Sequence, residues 1–82
     1  MKEFLTFVVE HLVDRPEDMV LREEARQGVR CFDLKLPSSE IGKVVGKQGH
    51  TIRAIRHLLS AAAARHDERA AFEIVETGDF TR

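Results

Sequence analysis

Two glycines separated by two residues enclose the most distinctive set of chemical groups in the sequence, Gly46-Lys47-Gln48-Gly49. Glycine adopts backbone angles that residues with a Cβ resist, and it leaves no side chain to block a close neighbour. Backbone amides in such a loop, and in the first turn of a helix after it, lack intrahelical partners and lie at the positive end of the helix dipole. The spacing therefore predicts a site for an anion such as a phosphodiester backbone, with Lys47 as a mobile cation and Gln48 as a neutral donor.

The charge of the chain changes sign around this loop. The net charge of −1 by itself argues against a nucleic-acid partner. Residues 1–40 hold six basic and nine acidic side chains, residues 67–82 hold two and five, and residues 41–66 hold five basic ones and no acid. The cations and histidines of the middle segment are Lys43, Lys47, Arg53, Arg56, Arg65, His50, His57 and His66. This asymmetry creates a local positive field, and it favours an anion site over the alternative of a tight turn that only joins two helices.

The segment before the loop predicts a helix followed by a β-hairpin. Apolar residues recur at helical spacing over residues 3–13, and Pro16 disfavours helix at the residue before it. After a turn signal at Gly28, apolar and polar residues alternate from 29 to 36, which is typical of a half-buried strand. The run 19–25 has no helical stripe, so we expect it to be the first strand of the hairpin.

A short helix is expected between this strand and the loop. Pro37 ends the strand, and Ser38 or Ser39 is a natural N-cap. Glu40 would then lie in the first turn of the helix, where an acid is favoured by the helix dipole. The helix is expected to stop at Gly46.

The remaining elements complete a two-layer domain. A longer helix is expected to start just after Gly49 and to run to about His66, followed by a last strand over residues 70–76. A helical crossover joins the last two strands, so they should be parallel, with a right-handed connection. The sequence therefore predicts an α+β domain over residues 1–76, with a short tail at 77–82. Its order is α-β-β-α-α-β, with a three-stranded mixed sheet, the 29–36 strand in the centre and three helices packed on one face.

The run from Ile41 to Arg56 resembles the signature of a KH domain, the module whose GXXG loop clamps single-stranded nucleic acid. The additional N-terminal helix and strand resemble the bacterial type II arrangement. With no second domain attached, the chain is similar to the small stand-alone KH proteins of the KhpA family, and the match covers nearly all of residues 1–76. The resemblance implies a non-catalytic protein that binds single-stranded RNA and acts as an RNA chaperone or post-transcriptional regulator.

The resemblance also implies where RNA would lie. The contacts it assigns to RNA are Lys43, Gly46, Lys47, Gln48, Gly49, His50, Arg53 and Arg56. The bases would occupy a groove between the helix–loop–helix and the edge strand. Apolar candidates for its floor are Ile41, Val44, Val45, Ile52, Phe72 and Ile74. The chain has no Trp or Tyr, so stacking on aromatic platforms is not expected to drive binding. His50 departs from the family pattern, where a permanent cation is expected, and a largely neutral histidine would make the phosphate contact weaker or pH-dependent.

Other classes of protein are disfavoured by the composition. No apolar run approaches the ~20 residues that a helix needs to cross a bilayer. Glu3 and Glu10 interrupt the stretch that a signal peptide would need to keep uncharged, so we expect a cytoplasmic protein. The single cysteine, Cys31, cannot form an internal disulfide, and no Cys/His cluster has zinc-ligand spacing. We therefore expect no metal or other cofactor, and the absence of a nucleophile–base constellation argues against an enzyme.

Two alternatives remain open from the sequence. One is a KH-like interaction or dimerisation module whose basic helix contacts an acidic partner without RNA. The other is a helix-turn-helix DNA-binding protein, in which residues 50–65 would enter a major groove. The resemblance itself implies self-association as a homodimer, or pairing with a larger KH-containing protein.

Overall fold

Within the described residues, the chain forms a three-stranded sheet with three α-helices packed on one of its faces. The computed structural model describes residues 1–76. Its elements in chain order are α1 (Lys2–Glu10), β1 (Val20–Arg26), β2 (Val29–Leu36), α2 (Ser38–Val45), α3 (His50–Ala64) and β3 (Arg69–Glu76), with 3₁₀ turns at Pro16–Asp18 and Lys47–Gly49. Among these residues, no helix combines the length and the apolar character that crossing a membrane requires. The predicted α+β order is confirmed, and the predicted tail at 77–82 lies outside the described residues.

β2 is the central strand of the sheet, as the sequence predicts. It pairs antiparallel with β1, and Arg26 lies opposite Val29 at the end of the hairpin. Gln27 and Gly28 form the connection with positive φ angles of 52° and 79°, which match the twist of two strands joined by a two-residue turn. β3 pairs parallel with β2, so the predicted hairpin and the predicted helical crossover are both confirmed.

The alternation in β2 decides which face of the sheet is covered. Phe32, Leu34 and Leu36 are fully buried, whereas the residues between them keep contact with solvent. The buried hydrophobic cluster that these side chains form with the helices comprises Leu5, Val9, Val13, Phe32, Leu34, Leu36, Val44, Ile55, Leu59 and Phe72. Since burial of this apolar surface is the main favourable term in folding, the helices gather on the apolar face and the other face stays open.

Helix α1 ends earlier than the apolar periodicity predicts. It spans Lys2–Glu10 instead of residues 3–13. Beyond it, the amides of His11 and Leu12 donate to carbonyls three residues earlier, at 3.2 and 2.9 Å, so tighter turns replace the helical pattern. Val13 is still buried, at 7% exposure. The periodicity therefore predicted the burial of Val13 correctly, but not that Val13 lies beyond the end of the helix.

The predicted serine cap of α2 is wrong. The helix begins at Ser38, directly after Pro37, and no side chain caps it. The amide of Glu40 donates to Pro37 O at 2.9 Å, which starts the first turn. Both serines therefore lie inside the helix and are exposed, because the extended backbone at Pro37 already provides the N-cap position.

Leu34→Ala tests the packing of the central strand. Leu34 is fully buried, so the truncation leaves a cavity, and we expect the free energy of unfolding to fall by about 2–5 kcal/mol in urea titrations. Arg22→Ala on the exposed side of β1 is the control, with an expected change of about 0.5 kcal/mol or less. Equal losses for the two variants would contradict the assignment of the covered face.

Candidate nucleic-acid interface

The first position of the glycine loop (residues 46–49) requires glycine for two reasons, its backbone angles and the lack of space for a side chain. Gly46 has φ 77° and ψ 174°, a region that only glycine adopts readily. A Cβ placed on Gly46 would lie 2.1 Å from Thr51 Oγ1 and 2.6 Å from Thr51 Cβ. Thr51, near the start of α3, can therefore approach the loop this closely only because residue 46 is glycine.

The second half of the loop has left-handed backbone angles and is held by an arginine. Gln48 has φ 56° and ψ 24°, and Gly49 has φ 76° and ψ 12°. Arg53 Nη2, one turn into α3, donates a hydrogen bond of 2.8 Å to Gln48 O. A Cβ on Gly49 would meet only Arg53 Nη2, at 3.9 Å. At this position the backbone angles alone favour glycine.

The backbone amides of the loop divide into internal and outward donors. Gly46 N donates to a carbonyl of α2 at 2.9 Å, and Gly49 N donates to Gly46 O at 3.1 Å. His50 N donates to Lys47 O. The expectation that the loop amides as a group lack partners is therefore wrong at these three positions. Within the described part of the chain, the amides of Lys47 and Gln48 make no backbone hydrogen bond, so the apex of the loop supplies the available donors.

Within the described residues, one cation of the loop and two on α3 have no acidic partner. No ion pair within residues 1–76 involves Lys47, Arg53 or Arg56, and all three are exposed. Arg53 contacts a loop carbonyl, and Arg56 Nε donates to Phe72 O of β3 at 3.2 Å. Because carbonyl oxygens are neutral, these bonds orient the guanidinium groups and leave their charge uncompensated. His50, the first residue of α3, is exposed beside this row of cations.

Lys43 has different surroundings from the other predicted contacts. Its Nζ lies 3.1 Å from Asp14 Oδ2 and 3.1 Å from Glu40 Oε1. The hydrogen bonds to Glu40 and then to Asp14 raise the pKa of Lys43 above its ordinary value. The structure therefore brings Lys43 to two acids on the side of α2 that faces the α1–β1 connection.

Glu40 is a buried carboxylate whose role the sequence analysis missed. Its side chain is only 1% exposed, and it accepts hydrogen bonds from Arg15 N at 2.7 Å, Asp14 N at 3.3 Å and Lys43 Nζ at 3.1 Å. Burial by itself would raise the pKa of Glu40, but these hydrogen bonds together outweigh it, and the pKa lies below the ordinary value. An acid in the first turn of a helix is already explained by the helix dipole, so nothing in the local sequence distinguished this residue.

A cleft of about 280 Å³ lies between α3 and the open edge of β3. Its walls include Arg56, Leu59 and Ser60 from α3 and residues 70–73 from β3. The six apolar residues expected to form a groove floor divide into two groups. Val44 and Phe72 are buried in the core. The four that remain half-buried are Ile41, Val45, Ile52 and Ile74.

A larger cleft, of about 440 Å³, lies beside the hairpin turn and the start of β3 and is a weaker candidate. It is lined by residues from β1, the hairpin turn, the start of β2 and the start of β3, together with Lys2 of α1, with acids and bases in balance. Arg30 in this cleft is already paired with Glu23 and Glu68. Within residues 1–76, no cluster of three or more His, Cys, Asp or Glu side chains is arranged to hold a metal ion. The larger cleft therefore has acids beside its bases, whereas residues 41–66, which include the glycine loop, carry five bases and no acid.

Comparisons with known proteins show what this arrangement is similar to. A model of the KH domain of KhpA and KhpB matches residues 2–74. The RNA-binding protein KhpA of Chlamydia muridarum is 43% identical over 76 residues, which cover 93% of this chain and 97% of that protein. The proteins of the same name from Treponema pallidum and Listeria monocytogenes are each 36% identical, over 92% and 93% of this chain and 94% and 100% of their own. No solved structure gave a significant match.

Alanine at the two loop glycines should have unequal effects. At Gly49 the cost is left-handed strain alone, about 1–2 kcal/mol. At Gly46 the backbone lies in a region that only glycine adopts readily, and a Cβ would also clash with Thr51. We therefore expect a larger loss of unfolding free energy for Gly46→Ala than for Gly49→Ala. Urea titrations of both variants measure the difference, and equal losses would contradict the close approach of Thr51.

Glu40→Gln should lower stability at neutral pH, with a difference that shrinks in acid. The folded-state pKa of Glu40 is lowered, so its contribution is fully present above the ordinary glutamate pKa of about 4.3. That contribution is lost as pH falls through the lower folded value. We expect the melting temperature to drop by about 5 °C or more at pH 7 and the gap from the wild type to narrow below about pH 4.

The matched control is Glu17→Gln, which removes an exposed acid from the neighbouring 3₁₀ turn. It should change the melting temperature little at pH 7. A gap between Glu40→Gln and the wild type that stays constant from pH 7 to pH 3 would show that the charge of Glu40 is not what stabilises this contact.

Proposed function

Because the chain belongs to the KhpA/KhpB family of KH-domain proteins, we propose that it binds single-stranded RNA without catalysing a reaction. The names of its relatives, RNA-binding protein KhpA, support RNA as the ligand. The observation that carries the proposal is the apex of the glycine loop. There the amides of Lys47 and Gln48 make no backbone hydrogen bond, and Lys47 is an exposed cation without an ion pair in residues 1–76. Such a combination of donors and charge favours a phosphate group.

The phosphate backbone would run from the loop along α3. One phosphate would accept hydrogen bonds from the apex amides and from the Lys47 ammonium group. Gly46 and Gly49 would serve by keeping the turn free of side chains, so that the RNA backbone can approach it. Arg53 and Arg56 would meet the next phosphates, because their guanidinium groups are exposed and keep donors that the contacts to Gln48 O and Phe72 O do not use.

The bases would turn from the phosphates into the cleft between α3 and β3. The cleft itself offers apolar surface from Leu59 and Ala70. Ile52 on α3 and Ile74 on β3 do not line it, but they are half-buried, so each offers further apolar surface for a base. The chain has no Trp or Tyr, and the exposed Phe7 belongs to α1. Aromatic stacking is therefore not expected to provide the main binding energy. Phosphate contacts carry little sequence information, so a weak sequence preference is expected.

A weak sequence preference fits an RNA chaperone or post-transcriptional regulator that acts on many transcripts, and we include that role in the proposal. It extends to action in the cytoplasm and to a homodimer or a pair with a larger KH-containing protein. His50, which is exposed at the start of α3, would add a further RNA contact beside the loop.

Titration of a labelled single-stranded RNA at several salt concentrations tests the proposal. Three available cations, each neutralising a phosphate, give an expected log–log slope of about −2, from roughly −0.7 per phosphate on single strands. Lys47→Asp/Gln48→Asp should abolish binding, because two carboxylates would face the phosphates in place of a cation and a neutral donor. Its melting temperature should stay close to that of the wild type, since both side chains are exposed.

A matched control replaces the same two residue types far from the loop. Lys2→Asp/Gln27→Asp changes the net charge equally at two exposed positions, on α1 and in the hairpin turn, and should leave RNA binding nearly intact. A loop variant that folds and binds RNA as well as the wild type would favour the interaction module without RNA. Tighter binding to duplex DNA than to single-stranded RNA would favour the helix-turn-helix alternative.

A further inference from the structure

Helix α2, which leads into the glycine loop, has few contacts that could fix its position by themselves. It has eight residues, too few for a helix to be stable in isolation. Val44 is its one fully buried hydrophobic side chain, and Ile41 and Val45 are half-buried. The other buried residue of α2 is Glu40. The polar contacts of Glu40 therefore contribute a large part of the interactions that hold α2 in its position.

These polar contacts, here named the Glu40 clamp, join Glu40 and Lys43 of α2 to Asp14 and Arg15. The carboxylate of Glu40 accepts from the amides of residues 14 and 15, which come just before the 3₁₀ turn at Pro16–Asp18. Lys43 Nζ bridges the carboxylates of Glu40 and Asp14, at 3.1 Å from each. The clamp thus fastens α2 to a segment 25 residues earlier in the chain.

The position of α2 is transmitted directly to the loop. Gly46 follows the last residue of α2, and its amide donates to Gly42 O inside the helix. The close approach of Gly46 to Thr51 leaves little freedom between α2 and α3. A shift of α2 would therefore move the apex amides relative to Arg53 and Arg56.

We infer that Glu40 is a positioning residue for the RNA-binding loop, and that Lys43 serves this clamp instead of contacting phosphate. The inference rests on the proposed function. It assigns different roles to two lysines that the sequence motif does not distinguish. Lys47 contacts the RNA, whereas Lys43 holds the helix that leads into the loop of Lys47. It also makes the α1–β1 connection, which lies outside the helix–loop–helix, a part of the binding apparatus.

Glu40→Gln removes one negative charge, and the direction in which the RNA affinity then changes distinguishes an electrostatic effect from a loss of positioning. Removing an acid near an RNA site should tighten binding if only the electrostatic field mattered. Loss of positioning predicts the opposite, a Kd raised about fivefold or more, at the lower end of the usual coupling between sites. The measurement is made at least 15 °C below the melting temperature of every variant, so that unfolding does not contribute. The salt slope should stay at the wild-type value, because no phosphate contact is removed.

Lys43→Gln and Lys47→Gln form a matched pair, since each removes one positive charge from the same motif. Lys47→Gln should make the salt slope shallower by about 0.7. Lys43→Gln should leave the slope unchanged and raise Kd by a similar factor at every salt concentration. Because Lys43 is only one of three donors to Glu40, this variant keeps the inference testable if Glu40→Gln does not fold.

NMR of the protein without RNA provides a second readout that does not depend on the proposed function. The amide resonances of Lys47 and Gln48 should move in Glu40→Gln and Lys43→Gln but not in the Glu17→Gln control. If the wild type binds no single-stranded RNA, the proposed function fails, and unmoved loop resonances would in addition remove the clamp's role. Binding by Glu40→Gln that is as tight as or tighter than the wild type would overturn the role of Glu40. A slope change in Lys43→Gln equal to that of Lys47→Gln would overturn the assignment of Lys43.

Discussion

The parallel pairing of β2 with β3 is the constraint from which the rest of the arrangement follows. Two parallel neighbours cannot be joined by a tight turn, so the chain must return across one face of the sheet. It does so as α2, the glycine loop and α3, which cover the apolar side of β2. The same return path leaves β3 as an open edge next to α3. The glycine loop and the cleft between α3 and β3 therefore both lie along α3 as a consequence of the topology.

The cations of the protein fall into two groups, those that the fold pairs with acids and those that it leaves without an acidic partner in residues 1–76. Arg26, Arg30 and Lys43 are paired with acids in the structure. The exposed pairs of Arg26 and Arg30 add little stability, whereas Lys43 pairs with the buried Glu40. In all three cases the pairing removes the cation from the set that can attract an anion. Lys47, Arg53 and Arg56 have no acidic partner in residues 1–76, so the local field near the loop is positive although the net charge is −1. Net charge is thus a poor guide to the partner of a protein with such an uneven distribution.

Glu40 illustrates how a buried charge can define geometry. Moving a carboxylate out of water is unfavourable unless hydrogen bonds replace the lost hydration. Two backbone amides and one ammonium group do so here, and their directions leave the carboxylate few alternative positions. Hydrophobic contacts, in contrast, are non-directional and tolerate sliding. A short helix with one fully buried apolar side chain gains its defined position from such a directional contact.

Features that depend on near neighbours along the chain are predicted well from the sequence. The alternation in β2, the hairpin turn at Gly28, the glycine spacing and the crossover all follow from short-range patterns, and each is present in the structure. Short-range patterns were insufficient at helix ends, where α1 stops at Glu10 and α2 begins without a serine cap, because small differences in backbone hydrogen bonding decide those positions. Which loop amides stay available depends on how the packed elements are arranged. The tertiary structure also paired Lys43 with Asp14, brought Glu40 to Arg15, and placed Arg56 against Phe72. Apart from the amides, these contacts join residues 16 to 29 positions apart, and such residues become neighbours only after the strands have paired and the helices have packed on the sheet.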